Sequence, residues 1–386
     1  MAMAKIDVAG MQRLVNGLSS GIETLDTSRS SLRTTLSRYN LATYDTAGMQ
    51  TAADWARDAL PDARRRLAKA QALEGSKPTW LVGTVEFDDV ADISSMAPDK
   101  AEQAGREAAQ ALRDGGKPDD DLIAQIVELQ DDPYFAAGFA GALSADELAD
   151  VVIKLGYNRT YPDSSRTQAE VDKANEWYGK LLNGMSTTVA TATRNTGDLA
   201  LPSDYAQSWI KTIEAEVPTS PYYDGGDGRV DRANALTVLL NAGKFGTPFL
   251  DELSVELYDY ERRLGDERGK VWGPRGSDGT TNAGVYDADG NRFRDPLAGI
   301  MAALGNNPEA AQNFFGGGAD RTVSIDGHDL VVSDRLAYLV LDRRWDIDAT
   351  NGGALGTALE AATTRLRNSE ASGKLSAEIA SQTFAL

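Results

Sequence analysis

The chain has 386 residues, 39 Lys and Arg against 58 Asp and Glu, a formal charge of −19, one His and no Cys. At roughly 100–200 residues per domain this length suggests two or three domains, and 41% apolar residues suffice to build cores. The charge argues against non-specific nucleic-acid binding, the lack of Cys excludes disulfides, thiol nucleophiles and Cys-ligated metals, and a single His excludes sites needing two imidazoles.

No run of about 18 apolar residues occurs, so no transmembrane helix and no membrane insertion are expected. Residues 1–8 lack the basic start and long apolar stretch of a secretory signal. The chain is expected to be made in the cytoplasm and, if exported, to leave without a cleavable signal peptide.

Apolar or tolerant positions recur at Met11, Val15, Leu18, Ile22, Leu25, Arg29, Leu32, Leu36 and Tyr39. The steps alternate four and three, a heptad seam with one polar interruption at Arg29. No Pro intervenes, so one helix of about 28 residues, roughly 40 Å long, is predicted. Residues 40–48 read as a connection. A second heptad pattern follows at Met49, Ala53, Ala56, Leu60, Ala63, Leu67 and Ala70, whose alanines allow close approach to the first helix. Pro61 predicts a kink or a restart of this helix. Two antiparallel helices are half of a four-helix bundle, and their apolar edge needs a cover from the rest of the chain or from another subunit.

Residues 79–93 read as a linker with one short strand. Helices are then predicted over 98–113, ended by Gly115 and Gly116, and over 119–130. Another begins at Asp132-Pro133 with Pro in its first turn. Ser144-Ala-Asp-Glu147 is a capping box, and the helix it starts is expected to end at Gly156. Further helices fall at 168–193, 202–216, 230–241 and 248–264. A Gly-rich polar stretch, 265–295, contains a hairpin at 285–293 turning at Asp289-Gly290, and a second hairpin at 322–332 turns at Asp326-Gly327. Helices at 296–304, 308–315, 334–341 and 354–367 complete a mainly α chain. The expected organisation is a helical hairpin (1–75), a linker (76–95), a helical domain (96–264), the Gly-rich loop with its small hairpin (265–295) and a C-terminal helical subdomain (296–386).

The opening hairpin, with Trp55 early in its second helix, resembles the WXG-type (ESX-like) family of type VII secretion substrates. It departs from that family in lacking the W-x-G turn. The export signal Tyr-x-x-x-Asp/Glu is missing after the second helix, although Tyr223 and Asp227 have that spacing. Asp132-Pro-Tyr-Phe-Ala-Ala-Gly-Phe-Ala-Gly-Ala-Leu143 is similar to a segment of large actinobacterial proteins built as polymorphic toxins or type VII effectors. So are Asp295-Pro-Leu-Ala-Gly-Ile-Met-Ala-Ala-Leu-Gly-Asn-Asn-Pro-Glu-Ala-Ala-Gln-Asn-Phe-Phe315 and Leu339-Val-Leu-Asp-Arg-Arg-Trp345 with Ala354-Leu-Gly-Thr-Ala-Leu-Glu-Ala-Ala-Thr363. The resemblance implies an export or scaffold module, followed by a toxin in many members. No toxin domain is evident before Leu386, which leaves open an orphan member or a piece of a longer protein.

Asp224-Gly-Gly-Asp-Gly-Arg-Val-Asp231 and Asp287-Ala-Asp-Gly-Asn291 suggest hard-cation loops, since such ions want clustered oxygens on a tight turn. An EF-hand needs Gly at position six and Glu at position twelve; the second loop has Arg292 and Ala298 there. The first has Asp at positions one, four and eight, which fits no standard loop, so both read as turns. His328 follows a turn and is expected to be exposed, and no Gly-x-Ser-x-Gly offers a nucleophile. Gly316-Gly-Gly-Ala319 lacks the Lys of a phosphate loop. Arg64-Arg-Arg66 reads as a solvated basic face, and the six tryptophans as core or crossing anchors.

The expected function is non-catalytic, with no cofactor and no metal: the hairpin binds a small WXG-like helical protein or secretion chaperone. The seam residues assigned to that contact are Leu18, Ile22, Leu25, Leu32, Leu36, Leu60 and Leu67. Self-assembly through the same hairpin, as a structural protein without an export role, is the alternative, and a carboxylate-dependent hydrolase a third.

Overall fold

The first periodic stretch forms one unbroken helix in the computed structural model, α1 (Val8–Arg38), and the second forms α2 (Ala47–Gly75). Residues 3–41, 46–75, 84–88, 93–115, 117–160, 167–215, 228–265, 272, 285–345, 352–367 and 369–386 are described. Gln12 meets Gln71 (3.0 Å), Ser19 meets Arg64 (3.5 Å) and Asp26 meets Arg57. These contacts step by seven residues in opposite directions, the signature of an antiparallel heptad pair. Pro61 neither ends nor restarts α2. Its ring leaves the Arg57 carbonyl without the usual intrahelical partner.

The stretch read as a linker contains β2 (Thr84–Asp88), which pairs antiparallel with β1 (Met3–Asp7), from Met3 opposite Asp88 to Asp7 opposite Thr84. β1 was not foreseen, because its mate lies a whole hairpin away in sequence. Alternation in β2 turns Val85 and Phe87 inward to join Ile6, Val8, Val15, Leu60, Leu67 and Ala70 in one small core. The two strands close the base of the hairpin.

A helical body follows: α3 (Pro98–Asp114), α4 (Asp120–Leu129), α5 (Pro133–Gly141), α6 (Ala145–Thr160), α7 (Gln168–Arg194), α8 (Tyr205–Glu214), α9 (Gly228–Val238) and α10 (Thr247–Leu264). α7 is the central rod, burying Trp177, Tyr178, Leu181, Leu182, Met185 and Val189. α3 and α5 touch backbone to backbone: a Cβ on Gly105 would lie 2.1 Å from the Phe135 carbonyl oxygen, and one on Gly138 2.0 Å from that of Glu102. α6 keeps its Ser144–Glu147 capping box but runs through Gly156 to Thr160, packing against α9 and overriding the glycine's low helix propensity.

The chain continues with α11 (Pro296–Asn306), α12 (Pro308–Gly316), β3 (Asp320–Ile325), β4 (His328–Ser333), α13 (Asp334–Ala337), α14 (Gly353–Glu360) and α15 (Glu370–Ala385). The β3–β4 turn has positive φ at Asp326 (49°) and Gly327 (82°), as a two-residue hairpin requires. The hairpin expected at 285–293 is a single bridge between Tyr286 and Arg292. α15 was not foreseen either. It buries only Ser376 and Ile379, and Gln312 on α12 donates to the Ser376 hydroxyl at 2.7 Å. One buried cluster runs from Ala104 to Ile379. The fold is mainly α, with two small antiparallel two-stranded sheets among the described residues. No described helix is long and apolar enough to cross a membrane.

Candidate functional site

The arginine run 64–66 does not form a solvated face. Consecutive helical residues point 100° apart, and Ala63 and Leu67 already face α1, so part of the run must flank the seam. Arg64 and Arg65 are buried, turned toward the body. Arg65 Nε donates to Asp132 Oδ2 at 2.8 Å, Nη2 donates to the Met96 carbonyl at 2.6 Å, and the guanidinium lies 5.4 Å from the Tyr134 ring centroid. Asp132 Oδ1 meanwhile accepts from the amides of Tyr134 (2.9 Å) and Phe135 (3.3 Å), capping α5. Arg64 holds Asp198 through both terminal nitrogens, one at 3.2 Å, and reaches the Tyr134 hydroxyl at 3.5 Å. That hydrogen bonding holds the Asp198 carboxyl below its ordinary range, whereas burial pushes the Tyr134 phenol up.

Lys69 adds a pair with Asp131 at 2.9 Å, and Lys244 on the body reaches Glu74 at 3.1 Å. The buried apolar cluster of the hairpin and that of the body share no residue. The joint between them is therefore largely ionic, and buried ion pairs fix geometry more than they add stability. Asp131, Asp132 and Asp198 were missed in the sequence because they lie in unrelated stretches; the run of three arginines beside a buried seam was the available signal.

Along this joint runs a groove of about 550 Å³. Ile22, Leu60 and Pro61 line it from the hairpin, and Pro98, Tyr134 and Asp198 from the body. Arg57 and Arg64 also line it, but Asp26 and Asp198 already hold them. Glu23 lines it as well, so the groove joins apolar surface to an acidic border.

The seven seam residues separate by depth. Leu60 and Leu67 are sealed in the hairpin core, so they are not free for a partner while the hairpin is closed. Leu18 and Ile22 pack half-buried against that core; Leu25 and Leu36 are also half-buried. Leu32 is 40% exposed. Leu18, Ile22, Leu60 and Leu67 thus come together in one core, and Ile22 and Leu60 also line the groove. Trp55 is 66% exposed and anchors no core, unlike Trp177, Trp209 and Trp272. Trp80 lies outside the described residues.

A third buried arginine lies within the body. Arg343 donates to Glu261 (2.8 and 2.9 Å) and to Asp295 (2.9 and 2.7 Å), while Tyr338 and Trp272 each donate to Glu261 at 2.6 Å. Asp295 also caps α11 through the Leu297 amide at 3.1 Å. Asp132-Pro133 and Asp295-Pro296 thus repeat one device, a carboxylate that caps a helix with Pro in its first turn and grips a buried arginine.

Asp287 accepts from the amides of Asp289 (3.1 Å) and Asn291 (2.8 Å), so its carboxylate is engaged in the turn. Residues 224–227, including the Tyr223–Asp227 spacing, lie outside the described residues. His328 is exposed at the start of β4.

These features define a mainly helical protein whose amino-terminal hairpin is docked on a helical body through buried arginines. The chain belongs to the family of unknown function DUF6571, whose model matches residues 1–382. No curated protein and no solved structure matches it.

Proposed function

We propose that the chain is a non-catalytic targeting or scaffold module of a type VII-type exported effector, and that its hairpin recognises a small helical-hairpin protein. The observation that carries this reading is the gradient along the α1 seam. Val15 is 2% exposed, Leu25 and Leu36 are half-buried and Leu32 is 40% exposed, while α2 sets the small Ala53 and Ala56 and the half-buried Met49 into the seam there. An antiparallel pair that opens in this way has room for a third and fourth helix to pack ridges into its groove. The resemblance of the hairpin to WXG-type substrates supports the same reading.

The test is co-expression with small helical proteins encoded beside the gene, followed by co-purification and light scattering. A heteromeric complex is expected, lost in Leu25→Asp and in Leu32→Asp with the body still folded. A complex indifferent to both substitutions would falsify the seam assignment. A homo-oligomer dissolved by them would point to self-assembly instead.

A further inference from the structure

We infer that the partner presents a basic amphipathic helix, and that this helix lies in the groove at the joint, with apolar side chains on Ile22, Leu60 and Pro61 and a Lys or Arg on Glu23. This rests on the reading of the hairpin as a recognition element and adds where the partner lands and with what chemistry. On α1 the wall of the groove is Ser19, Ile22, Glu23 and Asp26, steps of three and four that mark one helix face, and the α2 wall repeats the spacing from Arg57 to Arg64. Seven residues of helix rise about 10 Å, so the groove takes two turns of a helix laid along the rods. Ile22 also begins the open part of the seam, with the half-buried Leu25 three residues on.

The charge of both rods and of the body selects the partner. Arg57 is shared by Asp26 and Asp54, and Arg64 is held by Asp198. Glu23 is exposed and, among the described residues, has no cation. Two arginines thus face four carboxylates. Asp99 and Lys100, which follow Pro98, offset each other, as do Arg29 and Asp58 one turn further along the rods. An apolar trough with a net negative border matches a Lys or Arg whose stem covers the trough while its head meets Glu23. The same border repels nucleic acid and anionic lipid. A second copy fits poorly: each chain carries −19, and its arginine-bearing end, Arg29 to Arg38, lies beside its own Asp26, Asp54 and Asp58 in the antiparallel register.

The probe is a synthetic amphipathic helix with a leucine seam flanked by lysines, compared with its glutamate-flanked counterpart by titration against the full chain. The lysine helix is expected to bind about tenfold more tightly and to weaken with added salt. Glu23→Lys, at an exposed and unpaired position, should leave the fold intact and remove that preference, and Glu23→Gln should reduce it by a few-fold. Ser19→Trp, which fills the groove, should weaken binding of the lysine helix. Equal binding of the two helices, or no binding, overturns the inference. So does a homo-oligomer of the unsubstituted chain that Glu23→Lys dissolves, since the occupant is then a second copy. If Leu32→Asp abolishes binding while Glu23→Lys and Ser19→Trp do not, the groove inference fails and the recognition reading stands. If none of the three matters, both fail.

Discussion

Arg65 on α2 and Asp132 at the head of α5 form a buried ion pair, Nε to Oδ2 2.8 Å, across 67 residues of sequence. The same carboxylate starts α5, so the docking of the hairpin and the start of a body helix depend on one side chain.

Arg65→Met leaves Asp132 charged and buried without its cation. A loss of about 3–5 kcal/mol is expected, read from urea denaturation. Arg65→Met/Asp132→Asn removes both charges and should recover a large part of it. Equal losses in the single and double variants would show that packing, not charge, governs the joint.

Arg343→Lys is predicted to fail as a conservative change. One ammonium cannot span Glu261 and Asp295, which the guanidinium fork bridges with four hydrogen bonds. A clear fall in thermal midpoint is expected, with loss of near-ultraviolet dichroism as the surrounding Tyr338 and Trp272 lose their fixed partner. An unchanged midpoint would mean that the carboxylates are satisfied some other way.

Gly138→Ala should separate α3 from α5, because the new Cβ would sit 2.0 Å from a backbone oxygen that has nothing flexible to yield. Overpacking of this kind costs about 1–3 kcal/mol. Gly17→Ala and Gly21→Ala on α1 are the controls. A Cβ there meets nothing within 4 Å, so each should stabilise by about 0.5–1 kcal/mol through helix propensity.

The pH profile should carry two opposite contributions. Burial raises the carboxyls of Asp150 and Asp251. Their contribution is full below the ordinary carboxylate range and is lost as pH rises through the raised value. Hydrogen bonding to Arg64 lowers Asp198, whose contribution is full above the ordinary value and disappears as pH falls through the lowered one. Asp198 is largely exposed, so this second effect is small and local. Hydrogen exchange on α2 at pH 3 should show it, and Asp251→Asn should flatten the first slope. An Asp251→Asn profile parallel to that of the unsubstituted chain would contradict the sign.

Much of the helical order was legible because its signals are local. Asp132-Pro133 and Asp295-Pro296 each open a helix at the expected residue, and Asp326-Gly327 turns its hairpin where expected. Elements with weak local signals were not legible. β1 needs a mate beyond the hairpin, and α15 buries a serine and one isoleucine, too little for a visible stripe.

Periodicity and capping chemistry act over a few residues, so the chain by itself determined its mainly helical class, the hairpin and most helix starts. Three-dimensional packing decided which charges left the solvent. Arg64 and Arg65 read as solvated because a helix face shows only its own sequence, and burial depends on what docks against it. Asp132 and Asp198, the partners that make their burial tolerable, come from stretches 67 and 134 residues away. The same packing sealed Leu60 and Leu67 and left Leu32 open, since the small core beneath β1 and β2 closes only one end of the seam.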